Sequence, residues 1–237
     1  MKKRIWELDA LRGVCILGMV AVHFVYDLIS LFGIMELPPE NIFYFLITWG
    51  GVLFVMLSGI CVTLGSRPVR RGIIVFCGGL LCTAATTLMY LTGMTGISII
   101  IYFGVLHCLG VCMLLWPLFK KAPVWLLGVL GAVLALVGLY LRSYVRVEFD
   151  YLAPLGLFSR NFASSDYYPL LPNLGYFLLG AFLGKTLYRN KQTLFPKIPA
   201  EAGIIRFFTW WGKWSLPVYL LHQPILTGLV YLITMLL

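Results

Sequence analysis

Charge is what this chain has least of. Of 237 residues, nine are acidic and 18 basic; charged side chains make up 11% and hydrophobic ones 61%. A soluble globular chain is near half apolar and a quarter charged, so the shortage excludes a water-soluble domain and marks an integral membrane protein, with a mean hydropathy of +0.94. The six cysteines (Cys15, Cys61, Cys77, Cys82, Cys108 and Cys112) all fall in apolar segments, where free cysteine behaves as a small hydrophobe. No extracytoplasmic pair remains for a disulfide. Cys108 and Cys112 beside His107 lack a second cluster that would complete a Cys/His metal site, and no metal is expected. The chain also lacks an internal repeat of the kind that builds the inverted halves of many secondary transporters. Met1-Lys2-Lys3-Arg4 leads into an apolar stretch as a signal peptide would. That stretch is too long, however, and runs into Gly33-Ile34-Met35-Glu36 without a small-residue cleavage pattern, so it reads as a retained first span.

What is there is a series of apolar runs. A span needs roughly 20 apolar residues, and seven segments qualify, at about 11–33, 43–65, 72–92, 97–117, 122–141, 168–188 and 215–237. Helices satisfy their own backbone in lipid, so the expected fold is an all-α polytopic bundle of about seven transmembrane helices in one domain. Lys and Arg set the orientation. Fifteen of the 18 fall at the N-terminus or after spans two, four and six, and only Arg142, Arg146 and Arg160 lie on the other side. The positive-inside rule then places the N-terminus in the cytoplasm and the C-terminus outside. It also absorbs the net charge of +9 into cytoplasmic anchors facing anionic lipid, leaving no basic patch for nucleic acid. Residues 200–214, aromatic and too short to span, are expected as a helix at the cytoplasmic interface. Residues 142–167 form an outer loop with Glu148, Asp150, Asp166 and several tyrosines, which could bind an external acceptor or fold back as an aromatic belt. Gly180-x3-Gly184 in span six supplies a small-residue face for packing within the bundle or in a homodimer.

The titratable groups sit where they are expensive. Arg12 and His23 are eleven residues apart, which on a helix is three turns plus about 20°, placing both on one face about 16 Å apart along the axis. Asp27 follows His23 by four residues and stacks on its face. Such groups inside a span default to function, and neutral histidine is the usual general base. His107 and His222 also fall within spans, so a single cavity would explain all three histidines. On the cytoplasmic side, Arg67-Pro68-Val69-Arg70-Arg71 reads either as an anchor or as a phosphate grip suited to a coenzyme A thioester.

These residues carry a resemblance. Arg12-x10-His23, Gly50 to Gly59, Arg67-x-x-Arg70 and Trp214 to Pro224 resemble the motifs of the acyltransferase-3 group of membrane proteins. The fuller pattern is closer to the bacterial proteins with the heparan-alpha-glucosaminide N-acetyltransferase catalytic domain. That likeness rests on Asp9-Ala10-Leu11-Arg12-Gly13, Phe103-Gly104-Val105-Leu106-His107 and Asp166-Tyr167-Tyr168-Pro169-Leu170-Leu171-Pro172. It implies a multi-pass protein of the bacterial cytoplasmic membrane, moving an acyl group from cytosolic acetyl-CoA or another acyl-CoA to a hydroxyl or amine, often of a sugar. In that scheme His23 is general base or transient acyl carrier, Asp27 orients it, and Arg12, Arg67, Arg70 and Arg71 hold the donor. Ser58, His107, Asp166, Tyr168, Tyr219, His222 and Gln223 line the cavity. The role of His23 comes from the acyltransferase-3 motif, and the heparan substrate is not carried over. The alternatives are a proton-coupled transporter using the intramembrane His and Asp, and a noncatalytic helical module.

Overall fold

A computed structural model describes residues 4–31 and 42–236. Lys2, Lys3, residues 32–36, where the first expected span ends, and the last residue of the seventh lie outside the described residues. Eight α-helices follow in order: α1 (Trp6–Tyr26), α2 (Ile42–Leu64), α3 (Pro68–Leu91), α4 (Val105–Phe119), α5 (Val124–Tyr144), α6 (Leu170–Leu187), α7 (Gly203–Lys213) and α8 (Ser215–Leu236). A π-helical turn, Asp27–Leu31, continues α1. There is no β-strand among the described residues, and the all-α polytopic class stands. Among the described residues, five helices are long and apolar enough to cross a membrane: Trp6–Ile29, α3, α5, α6 and Ser215–Ile233. Trp49–Leu64 and α4 are shorter apolar helices. Leucines such as Leu91, Leu118 and Leu136 stand exposed on these helices, as lipid-facing side chains do when lipid is the solvent.

The fourth span departs from expectation. Its apolar run starts near residue 97, yet α4 begins only at Val105. Ile97–Ile99 is a single 3-10 turn, and the chain continues without regular structure to Gly104. Irregular backbone at this depth must find partners within the protein, and it does. Ile101 N–H donates to Thr86 Oγ1 (3.1 Å), and Thr83 Oγ1 donates to Ile101 O (2.5 Å). Ser165 Oγ donates to Ile99 O (2.6 Å), and Tyr168 N–H to Phe103 O (2.9 Å). Two threonines of α3 and the segment before α6 thus replace a helical ladder.

The chain divides into two compact units, with the boundary inside α2. In the unit Val55–Asn190, small residues set the spacing. The carbonyl of Phe177 lies where a side chain at Gly59 would start, and Met56 O does the same at Gly180. Gly184 abuts Ile60 and Thr63. Gly180-x3-Gly184 is therefore spent on α2, within the bundle. Lys185 caps the end of α4, donating from Nζ to Lys120 O (2.9 Å) and Ala122 O (3.0 Å), where a cation suits the helix dipole.

The other unit holds α1, α7 and α8. Gly212 meets the carbonyl of Asp9, and Gly13 that of Phe208. As one number rises the other falls, so α7 runs antiparallel to the first turns of α1. Glu7 ties the segment before α7 to α1, accepting from Thr193 Oγ1 and Leu194 N–H, both at 2.8 Å. The helix expected at 200–214 thus exists. Thr209 and Gly212 are buried, and Ile204, Phe207, Trp210 and Trp214 are exposed.

Candidate active site

The unit of α1, α7 and α8 brings together His23, Asp27, Tyr219, His222 and Gln223. His23 Nδ1 bonds Met19 O (2.9 Å) and His222 Nδ1 bonds Tyr219 O (2.6 Å). A carbonyl only accepts, so each Nδ1 carries the proton, and each neutral ring keeps its lone pair on Nε2. Holding a histidine's other nitrogen on a carbonyl is how proteins fix tautomer and ring orientation. The two rings meet edge to face, with centroids 4.8 Å apart and planes at 83°. His222 is 9% exposed, and its Nε2 is buried with no hydrogen-bond partner among the described residues.

Asp27 has no exposed surface. Gln223 Nε2 donates to its Oδ1 (2.7 Å) and Thr227 Oγ1 to its Oδ2 (3.3 Å). Both carboxylate oxygens bond donors of α8, while His23 Nδ1 bonds Met19 O and its ring meets that of His222. Since a carboxylate accepts, Gln223 presents its NH2 to Asp27, and its Oε1 is left buried without a partner among the described residues. The π-helical turn starting at Asp27 is a feature found often at functional sites.

Arg12 Nη1 donates to Asp9 Oδ1 (2.9 Å), and Arg4 Nε lies 3.6 Å from Asp9 Oδ2. Asp9 is 7% exposed, a buried carboxylate gripping the guanidinium three residues on. Asp9-Ala10-Leu11-Arg12-Gly13 thus has a physical reading. Asp9 orients Arg12, and Gly13 admits α7.

The unit Val55–Asn190 holds four residues of the expected cavity: Ser58, His107, Asp166 and Tyr168. His107 Nδ1 accepts from Gly104 N–H (3.2 Å), so its proton is on Nε2, which faces Thr83 Oγ1 at 3.4 Å. That hydroxyl passes its own proton to Ile101 O. Phe103 stacks on the ring at 5.6 Å and Phe76 meets it edge-on at 5.4 Å. Both nitrogens are engaged, and the side chain is 3% exposed. Asp166 Oδ2 accepts from Val105 N–H (3.1 Å), the first residue of α4, where negative charge suits the helix dipole; Gly104 leaves the room this needs. Tyr168 donates its backbone N–H to Phe103. Burial pushes its phenol up to about 12, with Asp166 adding to the effect. Neighbouring Tyr167 is also raised, mainly by burial, and donates to Ala153 O (2.7 Å). Ser58 is buried in α2.

Arg67 caps α3, with Pro68 at its first position. Arg67, Arg70 and Arg71 are all exposed. Cations at a helix N-terminus oppose the dipole, whereas an anion there gains from the dipole and the free N–H groups. Arg67 and Arg70 line a shallow depression with Pro68, Val69, Ile73 and Ile74, pairing guanidinium with apolar wall. Arg71 does not line it; its guanidinium lies against Gly65.

Sequence reasoning placed Asp9 in a motif without giving it a role, and missed Thr83 and Thr227. The i, i+3 spacing of Asp9 and Arg12 was a usable signal. Nothing local announces that Thr227 reaches Asp27, 200 residues away.

Comparison with curated proteins and with solved structures finds no match. Among protein families, heparan-alpha-glucosaminide N-acetyltransferase, catalytic, matches residues 4–224. The match runs from Arg4, beside Asp9, through the arginines of α3 and the segment that caps α4 to His222 and Gln223. On that extent the chain belongs to the heparan-alpha-glucosaminide N-acetyltransferase catalytic-domain family.

Proposed function

We propose that this protein is a membrane-bound acyltransferase that takes an acetyl or similar group from cytosolic acyl-CoA and passes it to a hydroxyl or amine of an envelope carbohydrate or related acceptor. Family membership supports the transferase class. The observation that carries the mechanism is the fixed tautomer of His23, whose Nδ1–H is spent on Met19 O and whose Nε2 is therefore a base. In the reaction, the acceptor's O–H or N–H proton moves to His23 Nε2 as the acceptor attacks the thioester carbonyl. The new C–O or C–N bond forms, the C–S bond breaks, and the proton ends on the thiolate as CoA–SH. A positioned base of this kind contributes roughly 10²–10⁴-fold.

Arg67 and Arg70 grip the donor's phosphates, with Val69, Ile73 and Ile74 offering an apolar wall beside them. Arg12, held by Asp9, is the remaining cation assigned to the donor. Ser58, Asp166, Tyr168, Tyr219 and Gln223 stay assigned to the acceptor side on the family resemblance. His107, with both nitrogens engaged, is reassigned to holding α3 against α4. The same reading makes the chain one catalytic domain with seven spans, cytoplasmic N-terminus and bacterial inner-membrane location, and keeps α7 at the cytoplasmic interface. The family match extending through both compact units supports the single domain.

The test is calorimetric binding of acetyl-CoA and CoA to the purified protein in detergent, beside the Arg67→Ala/Arg70→Ala double variant. Micromolar binding that the double variant loses is expected. Absence of binding by the folded wild-type protein overturns the donor assignment.

A further inference from the structure

We infer that His222 is the proton-accepting partner of His23, so that the two imidazoles handle the single proton of the transfer together. This rests on the acyltransferase reading and adds to it a group that acts through His23.

Three observations carry it. The rings are in edge-to-face contact at 4.8 Å, from helices α1 and α8 that lie side by side. Each ring spends Nδ1–H on a carbonyl of its own helix, Met19 O and Tyr219 O, so both expose an Nε2 lone pair. A pair in which one ring merely held the other would use one N–H between them. His222 Nε2 is also buried and without a partner among the described residues. The amide of the next residue on α8, Gln223, donates to Asp27 instead. Buried polar atoms are nearly always paired, and an exception calls for an explanation. A proton arriving during the reaction supplies one.

The bonds around the pair fit the task. Asp27, fully buried and one turn beyond His23, clamps Gln223 and Thr227, and so fixes the register of α8 against α1 that puts His222 beside His23. Both oxygens of that carboxylate bond neutral donors.

The proton count balances without any further reactant. Attack of the acceptor on the thioester delivers one proton to His23 Nε2. From the resulting imidazolium it passes to the lone pair of His222 Nε2, which frees His23 of positive charge while the C–S bond breaks. It returns by the same route to the thiolate, giving acylated acceptor and CoA–SH. Two imidazolium rings in contact repel, so the pair carries one proton at a time, which is the number one turnover releases.

The experiment compares wild type, His222→Gln and His222→Ala in detergent, with acetyl-CoA as donor and glucosamine as probe acceptor, because it offers an amine and hydroxyls. Glutamine fills the space and keeps a hydrogen-bonding amide, but it takes no proton. His222→Gln is expected to lose roughly 10²-fold or more in kcat with unchanged acetyl-CoA affinity and melting temperature. Free imidazole is expected to restore part of the activity of His222→Ala. Wild-type turnover in His222→Gln overturns the inference. So does a loss that tracks a lower melting temperature and that imidazole does not relieve, since that is a packing role. A wild-type protein that binds no acetyl-CoA instead strikes the acyltransferase reading itself, which separates the two failures.

Discussion

The Asp27 carboxylate, without exposed surface, accepts a 2.7 Å hydrogen bond from Gln223 and thereby joins the first helix of the chain to the last. A buried carboxylate beside two neutral donors holds its helices together only while both bonds are kept, because each orphaned donor costs about 1–3 kcal/mol.

Asp27→Ala is therefore expected to destabilise by about 2–4 kcal/mol, as it leaves the Gln223 amide and the Thr227 hydroxyl unpaired. Asp27→Asn keeps an acceptor for one of them and should lose about half as much. Thermal unfolding in detergent measures both; equal melting temperatures for wild type and the alanine variant would remove the clamp from the account.

Gly180 makes a different demand. Met56 O occupies the place of its missing side chain, so Gly180→Leu must push α6 off α2. Overpacking of this kind costs about 1–3 kcal/mol or more. The melting temperature should fall, while the oligomeric state by size-exclusion chromatography with light scattering should not change. A shift in oligomeric state with intact stability would mean that this face packs between chains.

Tyr168 gives the fold a pH dependence at the alkaline end. Its phenol titrates near 12 in the folded protein against about 10 when unfolded. A raised folded value stabilises below the unfolded one and is lost as pH climbs through the folded one, so stability should decline between about pH 10 and pH 12. Tyr168→Phe should make that decline shallower, leaving the part that the raised Tyr167 contributes, without changing stability at pH 7, measured by denaturation at a series of pH values.

Much of this architecture was legible in the sequence, and the exceptions are instructive. The spans near α3, α5, α6 and α8 follow from apolar length alone, because lipid leaves a chain little choice but helix. The start of α4 did not follow. Ile97 to Tyr102 is as apolar as a helix, and what unwinds it is Thr83 and Thr86 on α3 and Ser165 before α6, partners that no local window contains. His23 as a titratable group inside a span was visible from its position. Its contact with His222 was not, since it depends on how α8 docks on α1 across 198 intervening positions. Asp27 was visible as unusual, but its bonds were not, because i, i+4 spacing predicts a neighbour on the same helix while Gln223 and Thr227 arrive from another. The Gly180-x3-Gly184 face was legible as packing, and α2 identifies what it packs on.

In the proposed reaction, His23 Nε2 is the base of an acyl transfer. The most direct measurement is turnover of acetyl-CoA with glucosamine by wild type and by His23→Gln, with acetyl-CoA affinity measured on the same samples. The account predicts a loss of roughly 10²–10⁴-fold in kcat at unchanged affinity and melting temperature. Wild-type turnover in His23→Gln would contradict it.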